Sequence, residues 1–252
     1  MLDVILREEL VEKRPSYAFA LGILFSTIGI AVSILMFKDS PSFPAVFLTT
    51  LAAAPIAMRM RKKEEKTTNL IKRYEYMIGI YAYLFFGMAV SFALWFAILP
   101  AGFVEIIFKE QLLKFTVGYF TFATPDFISI TINNIGLMLF FFLLSLFYGS
   151  GSMFLLAWNA SVLGVMWGNT IRGLASVIGP IGVITNTLKA FPYLFPEVIA
   201  YFLAAVAGLM LSFAFTRKKD FDQTLRDALK VLAVAIILIL VSGVIETIIL
   251  GF

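Results

Sequence analysis

The chain has 252 residues, of which 61% are hydrophobic and only 14% charged, with a formal net charge of +4. Soluble domains carry roughly a quarter charged residues and about half apolar ones, so this composition points to an integral membrane protein. Cysteine and histidine are both absent, which excludes disulfides, Cys or His zinc sites, a Cys nucleophile, a Ser–His–Asp arrangement and an H-E-x-x-H metalloprotease.

The apolar residues come in blocks of about 20, the length that crosses ~30 Å of hydrocarbon as a helix. Seven predicted spans follow in chain order: Tyr17–Phe37, Phe43–Met58, Met77–Leu99, Phe127–Tyr148, Gly151–Gly168, Pro196–Thr216 and Ala228–Leu250. The expected fold class is an all-α, polytopic transmembrane helix bundle in a single membrane domain. The second span has 16 residues, so the count is six if it does not cross. The first apolar run follows a mixed-charge segment and lacks an A-x-A exit, so no cleaved signal peptide is expected. Between Phe127 and Ile171 there is no charged residue. One helix of that length would measure roughly 68 Å, too long for a single crossing. The breakers in "YGSGSM" (148–153) mark the turn. Absent cysteine, sparse glutamine and heavy isoleucine and phenylalanine use suit a thermophilic source.

With the N-terminus inside, the inner segments hold 15 of the 20 Lys and Arg residues. The positive-inside rule therefore predicts an inner N-terminus and an outer C-terminus in the cell membrane. The run "RMRKKEEK" (59–66) is mainly a topology signal, compatible with anionic lipid headgroups as partners. Its basic area is too small to predict a nucleic-acid partner. "GFVEIIFKEQLLKF" (102–115) pairs Glu105 with Lys109 and Glu110 with Lys114 at i,i+4. It reads as an amphipathic helix on the outer surface or packed over the bundle. "LASVIGPIGVITNTL" (174–188) is apolar but interrupted at Gly179-Pro180-Ile181-Gly182. A re-entrant or surface-lying segment fits it.

Small residues recur every four positions in two spans: Ala160, Gly164 and Gly168, then Ala200, Ala204 and Gly208. Such spacing lets helix backbones approach closely in lipid. Packing within one chain and a homodimer face give the same pattern.

Ionisable and amide groups inside spans are functional candidates, because lipid makes them expensive. Here they are Asn133, Asn134, Asn159, Glu197 and Glu246, with Arg172 and Lys189 in the predicted loop before the sixth span. The predicted topology puts Asn133, Asn134, Glu197, Glu246 and the two cations at the outer level. Glu197, after Pro196, also suits the first turn of a helix, where an acid meets the positive end of the dipole. Glu246 suits an ion pair with Arg172 or Lys189, or a reach to the interface. The asparagines suit interhelical hydrogen bonding. The sequon Asn159-Ala160-Ser161 lies inside a span, away from glycosylation. No metal or cofactor site is expected.

"PYLFPEVIA" (192–200) resembles the P-H-G-x-x-E-[IL]-x-A segment of the stage II sporulation protein M family. The pair Asn133-Asn134 opening a span, the glycine-rich turn after it and Glu246 in the last helix fit the same layout. The similarity covers about residues 70–252, with residues 1–66 as an added helical hairpin. Pro192, Glu197 and Ala200 match, whereas the family's His-Gly is Tyr193-Leu194 here. No role of that histidine carries over. The resemblance implies a non-enzymatic membrane component; the family's bacterial founders organise cell-wall hydrolases at a division-like membrane. With no catalytic constellation in the chain, the expected role is a homodimeric scaffold that binds partners through its outer loops and the amphipathic segment over 102–122. The polar set predicts a rival, an ion channel or small-solute transporter built on Glu197, Glu246, Asn133 and Asn134. An intramembrane enzyme would have carboxylates alone, and no span holds an Asp pair.

Overall fold

A computed structural model describes residues 16–64, 70–113, 127–149, 151–175, 179–217 and 221–250. Where the chain meets hydrocarbon, each backbone N–H and C=O must be satisfied within the segment, and a helix does this. The described residues are accordingly helical, with no strand among them: α1 (Tyr17–Met36), α2 (Ser42–Glu64), α3 (Leu70–Ile98), α4 (Ala101–Ile107), α5 (Phe127–Tyr148), α6 (Ser152–Ala175), α7 (Gly179–Arg217) and α8 (Phe221–Leu250). After a turn at Phe108, residues 109–113 are helical again.

Five stretches are long and apolar enough to cross a membrane: Tyr17–Met36, Tyr76–Ile98, Phe127–Tyr148, Phe191–Phe215 and Phe221–Ile249. Two predicted spans fall short of that mark. The apolar part of α2 ends at Ile56, and α6 is diluted by Trp158, Asn159, Trp167 and Asn169. The faces that the five stretches leave exposed are largely apolar, with Ile28, Leu94, Ile132 and Ile237 among them, as suits contact with lipid; Asn133 is an exposed polar exception.

The chain forms two compact units, residues 1–117 with 153–177 and residues 118–152 with 178–252. In the first, α1 packs against both α2 and α3. Small residues set the spacing: a Cβ on Gly22 would lie 2.5 Å from the Leu84 carbonyl oxygen, and Gly87 is pressed on the Phe19 carbonyl. The stripe on α6 is used the same way. A Cβ on Gly164 would stand 2.6 Å from both the Ala89 oxygen and Phe92 Cβ, and one on Gly168 would stand 2.7 Å from Phe96 Cβ. Ala160 is fully buried.

The amphipathic segment belongs to this unit. Val104, Ile107, Phe108 and Gln111 recur at helical spacing and are buried, while Glu105 and Lys109 face outward. Ser42 Oγ donates to the Ile107 carbonyl at 2.7 Å, and Gln111 Nε2 donates to Ser161 Oγ at 3.1 Å. The Phe108 ring meets Phe96 at 5.4 Å between centroids. Of the two predicted settings, the described part, 102–113, is packed over helices; Lys114 and Phe115 lie outside the described residues.

In the second unit, α7 packs against α5 and α8, and α5 also touches α8. Ala200 and Ala204 are fully buried. Gly208 is pressed on the Phe142 carbonyl, with the position of a Cβ 2.9 Å from Ser145 Cβ. The predicted turn after Tyr148 is present, with Gly149 in the left-handed region at φ 59°, which glycine adopts without a steric cost.

One sequence expectation is overturned. Of residues 174–188, read as a re-entrant or surface-lying segment, 174–175 end α6 and 179–188 belong to the 39-residue helix α7, while 176–178 lie outside the described residues. Gly179 and Pro180 are themselves helical, and proline's fixed φ already suits a helix. Arg172 and Lys189, expected in one outer loop, consequently stand in α6 and α7.

Candidate functional site

Glu197 was expected at a helix start, yet α7 begins at Gly179 and contains both Pro192 and Pro196. The carboxylate therefore lies about five turns into the helix, and capping does not account for it. Proline has no N–H to donate to the carbonyl four residues earlier. Pro192 and Pro196 thus remove two hydrogen bonds from neighbouring turns, including the one the carbonyl of Pro192 would accept. Into this weakened stretch α8 sends a hydroxyl: Ser242 Oγ donates to the Tyr193 carbonyl at 2.7 Å.

The Glu197 carboxylate accepts from the hydroxyl of Tyr201, with Oε1 at 2.5 Å. The two residues are one turn apart on the same face of α7, where i,i+4 side chains meet. Tyr201 is only 3% exposed, and its ring stacks on Phe141 of α5, centroids 5.3 Å apart and planes 4° from parallel. Glu246 of α8 belongs to the same unit as this tyrosine. It is half-buried and forms no ion pair among the described residues, so the expected partnership with Lys189, which is exposed, is not made.

α5 closes the arrangement. Thr131, Asn134, Met138 and Phe141 form its buried face. Thr131 Oγ1 would lie 2.9 Å from a Cβ on Gly243, and this hydroxyl is buried without a hydrogen-bond partner. Gly243 and Ser242 are one helical turn from Glu246 on α8. Asn134 shares the face with Thr131, whereas Asn133 is exposed on the other side and donates Nδ2 to Asn134 Oδ1 at 3.2 Å.

The second unit thus contains Glu197, Glu246, Asn133, Asn134 and Pro192, with Glu197 bonded to Tyr201. Asn159 and Arg172 belong to the first unit. Asn159 Nδ2 donates to the Leu155 carbonyl of its own helix at 2.8 Å. The Arg172 guanidinium bonds to the Leu99 carbonyl at the end of α3 and sits 5.7 Å from the centre of the Phe96 ring. A cation there satisfies a helix C-terminus. The sequence reading missed Tyr201, Ser242 and Thr131. Only Tyr201 carried a signal, its i,i+4 spacing from Glu197.

Chemically, this arrangement joins three helices through hydroxyl, carboxylate and ring contacts. It presents hydroxyls and carboxylates: the Tyr201 hydroxyl bonds the Glu197 carboxylate, and the Ser242 hydroxyl bonds the Tyr193 carbonyl.

A family model described as Stage II sporulation protein M matches residues 82–249, from within α3 nearly to the end of α8. No curated protein and no solved structure matches the chain. The matched segment is two thirds of the 252 residues and includes Asn133, Asn134, Pro192, Glu197, Ala200 and Glu246. This integral membrane protein belongs to the stage II sporulation protein M family.

Proposed function

We propose that the protein is a non-enzymatic scaffold of the cell membrane, with its N-terminus inside, that holds partner proteins there. The observation that supports this most is how the second unit uses its polar groups. Tyr201 bonds Glu197 and stacks on Phe141, and Ser242 bonds the Tyr193 carbonyl. Each contact joins or stiffens helices, which is the work of a rigid platform. The first unit adds a surface for partners: α4 is anchored by its buried face and leaves Phe103 and Ile106 exposed beside Glu105 and Lys109.

The test is photo-crosslinking in native membranes from a reactive residue placed at Phe103 or Ile106. A scaffold gives the same partner polypeptide in independent preparations, and Phe103→Glu removes it. Adducts with lipid alone contradict this reading.

A second reading is passage of an ion or small solute by way of Glu197, Glu246, Asn133 and Asn134. What favours it is Glu246, a half-buried carboxylate inside a span without an ion pair among the described residues. Flux that depends on the two carboxylates is its signature.

A further inference from the structure

Both small-residue stripes that could have served a dimer face the chain's own helices, so a second copy needs another surface. The apolar outer face of α8, with Val234, Ile237, Val241, Val244 and Ile248 exposed, suits lipid and asks for nothing more. The outer face of α5 differs. Among Ile128, Ile132, Leu139 and Phe140, all exposed, it carries the exposed amide of Asn133. Gly136 lies one turn on, with nothing within 4 Å of where its Cβ would stand.

Asn133 is six residues into α5, about 9 Å along the helix. One amide N–H goes to Asn134 Oδ1. The second N–H and the carbonyl oxygen of Asn133 have no partner among the described residues. Acyl chains offer neither a donor nor an acceptor, so lipid is a costly cover for this amide. A second amide supplies both. Two copies related by a two-fold axis along the membrane normal place Asn133 at the same depth in each, and a two-fold contact is self-complementary. Gly136 allows the two α5 backbones to approach within reach of that bond.

We infer that the outer face of α5, centred on Asn133 and Gly136, is the contact between two copies of this chain, held by reciprocal Asn133 amide hydrogen bonds. The inference stands on the placement of these residues and does not rest on the scaffold reading.

The native chain has no cysteine, so single cysteines report on the contact without background. In native membranes under mild oxidation, Asn133→Cys, Gly136→Cys and Phe140→Cys give disulfide-linked dimers, and Met138→Cys and Phe141→Cys on the buried face do not. By energy transfer between labelled copies in detergent, Asn133→Leu raises the dimer dissociation constant about tenfold, the combined worth of the two reciprocal interhelical amide bonds. Asn133→Gln keeps most of the affinity, and Gly136→Ile loses the dimer. These positions are exposed, so the variants retain helical content and monomer size. Disulfides from Val241→Cys on α8 in place of the α5 set overturn the inference. So does a dimer fraction that Asn133→Leu leaves unchanged, or a chain that is monomeric throughout.

Discussion

Tyr201 is the residue on which the second unit turns, because it serves α5 and α7 at once. Its hydroxyl satisfies the Glu197 carboxylate and its ring lies flat against Phe141. Tyr201→Phe keeps the stack and removes the donor, leaving a carboxylate short of a bond. The expected cost is about 1–3 kcal/mol of unfolding free energy in detergent. Tyr201→Ala also empties the ring's volume and costs more, roughly 3–5 kcal/mol. Equal losses for the two variants would show that the hydroxyl contributes nothing. Glu197 could be found in the sequence as a carboxylate bounded by proline and an apolar run, but its depth within a helix could not. Local chemistry at "FPEV" describes a helix start equally well, and only the position of Gly179 shows that the helix is already five turns old. Glu246 was visible as an acid in a span.

At the scale of elements, close approach of helices depends on glycines whose neighbours cannot yield. At Gly164 an added Cβ meets a backbone oxygen and Phe92 Cβ, both at 2.6 Å. Gly164→Ala is expected to destabilise the first unit by about 1–3 kcal/mol through overpacking. Gly79→Ala, with nothing within 4 Å, is expected to be neutral or stabilising by roughly 0.5–1 kcal/mol, as helix propensity dictates. Thermal unfolding of the two variants side by side checks the contrast. Across the α7–α8 contact, Ser242→Ala removes the hydroxyl that bonds Tyr193 and should cost about 0.6 kcal/mol. The four-residue spacing of small residues made both packing faces legible in advance. The partners of those faces were not, because spacing gives one side of a contact only. Long apolar runs made the helices legible for the same physical reason they form: backbone in hydrocarbon has few alternatives. Gly179-Pro180 defeated the reading because a pair that commonly breaks a helix is itself helical here.

For the whole molecule, composition alone gave the membrane and the helical class, and the short motif around Glu197 gave the family. The division into two units was not legible. It takes one strand of sequence out of order, residues 153–177 joining residues 1–117, and hydropathy carries no record of which helices become neighbours. At this scale the central claim is that the polar groups of the second unit hold helices together and do not conduct. The direct measurement is ion flux across liposomes carrying the purified protein, compared with empty liposomes and with Glu197→Gln and Glu246→Gln. Flux at the level of empty liposomes is expected for all three proteins. Flux above that level which falls on Glu246→Gln or Glu197→Gln would contradict that claim.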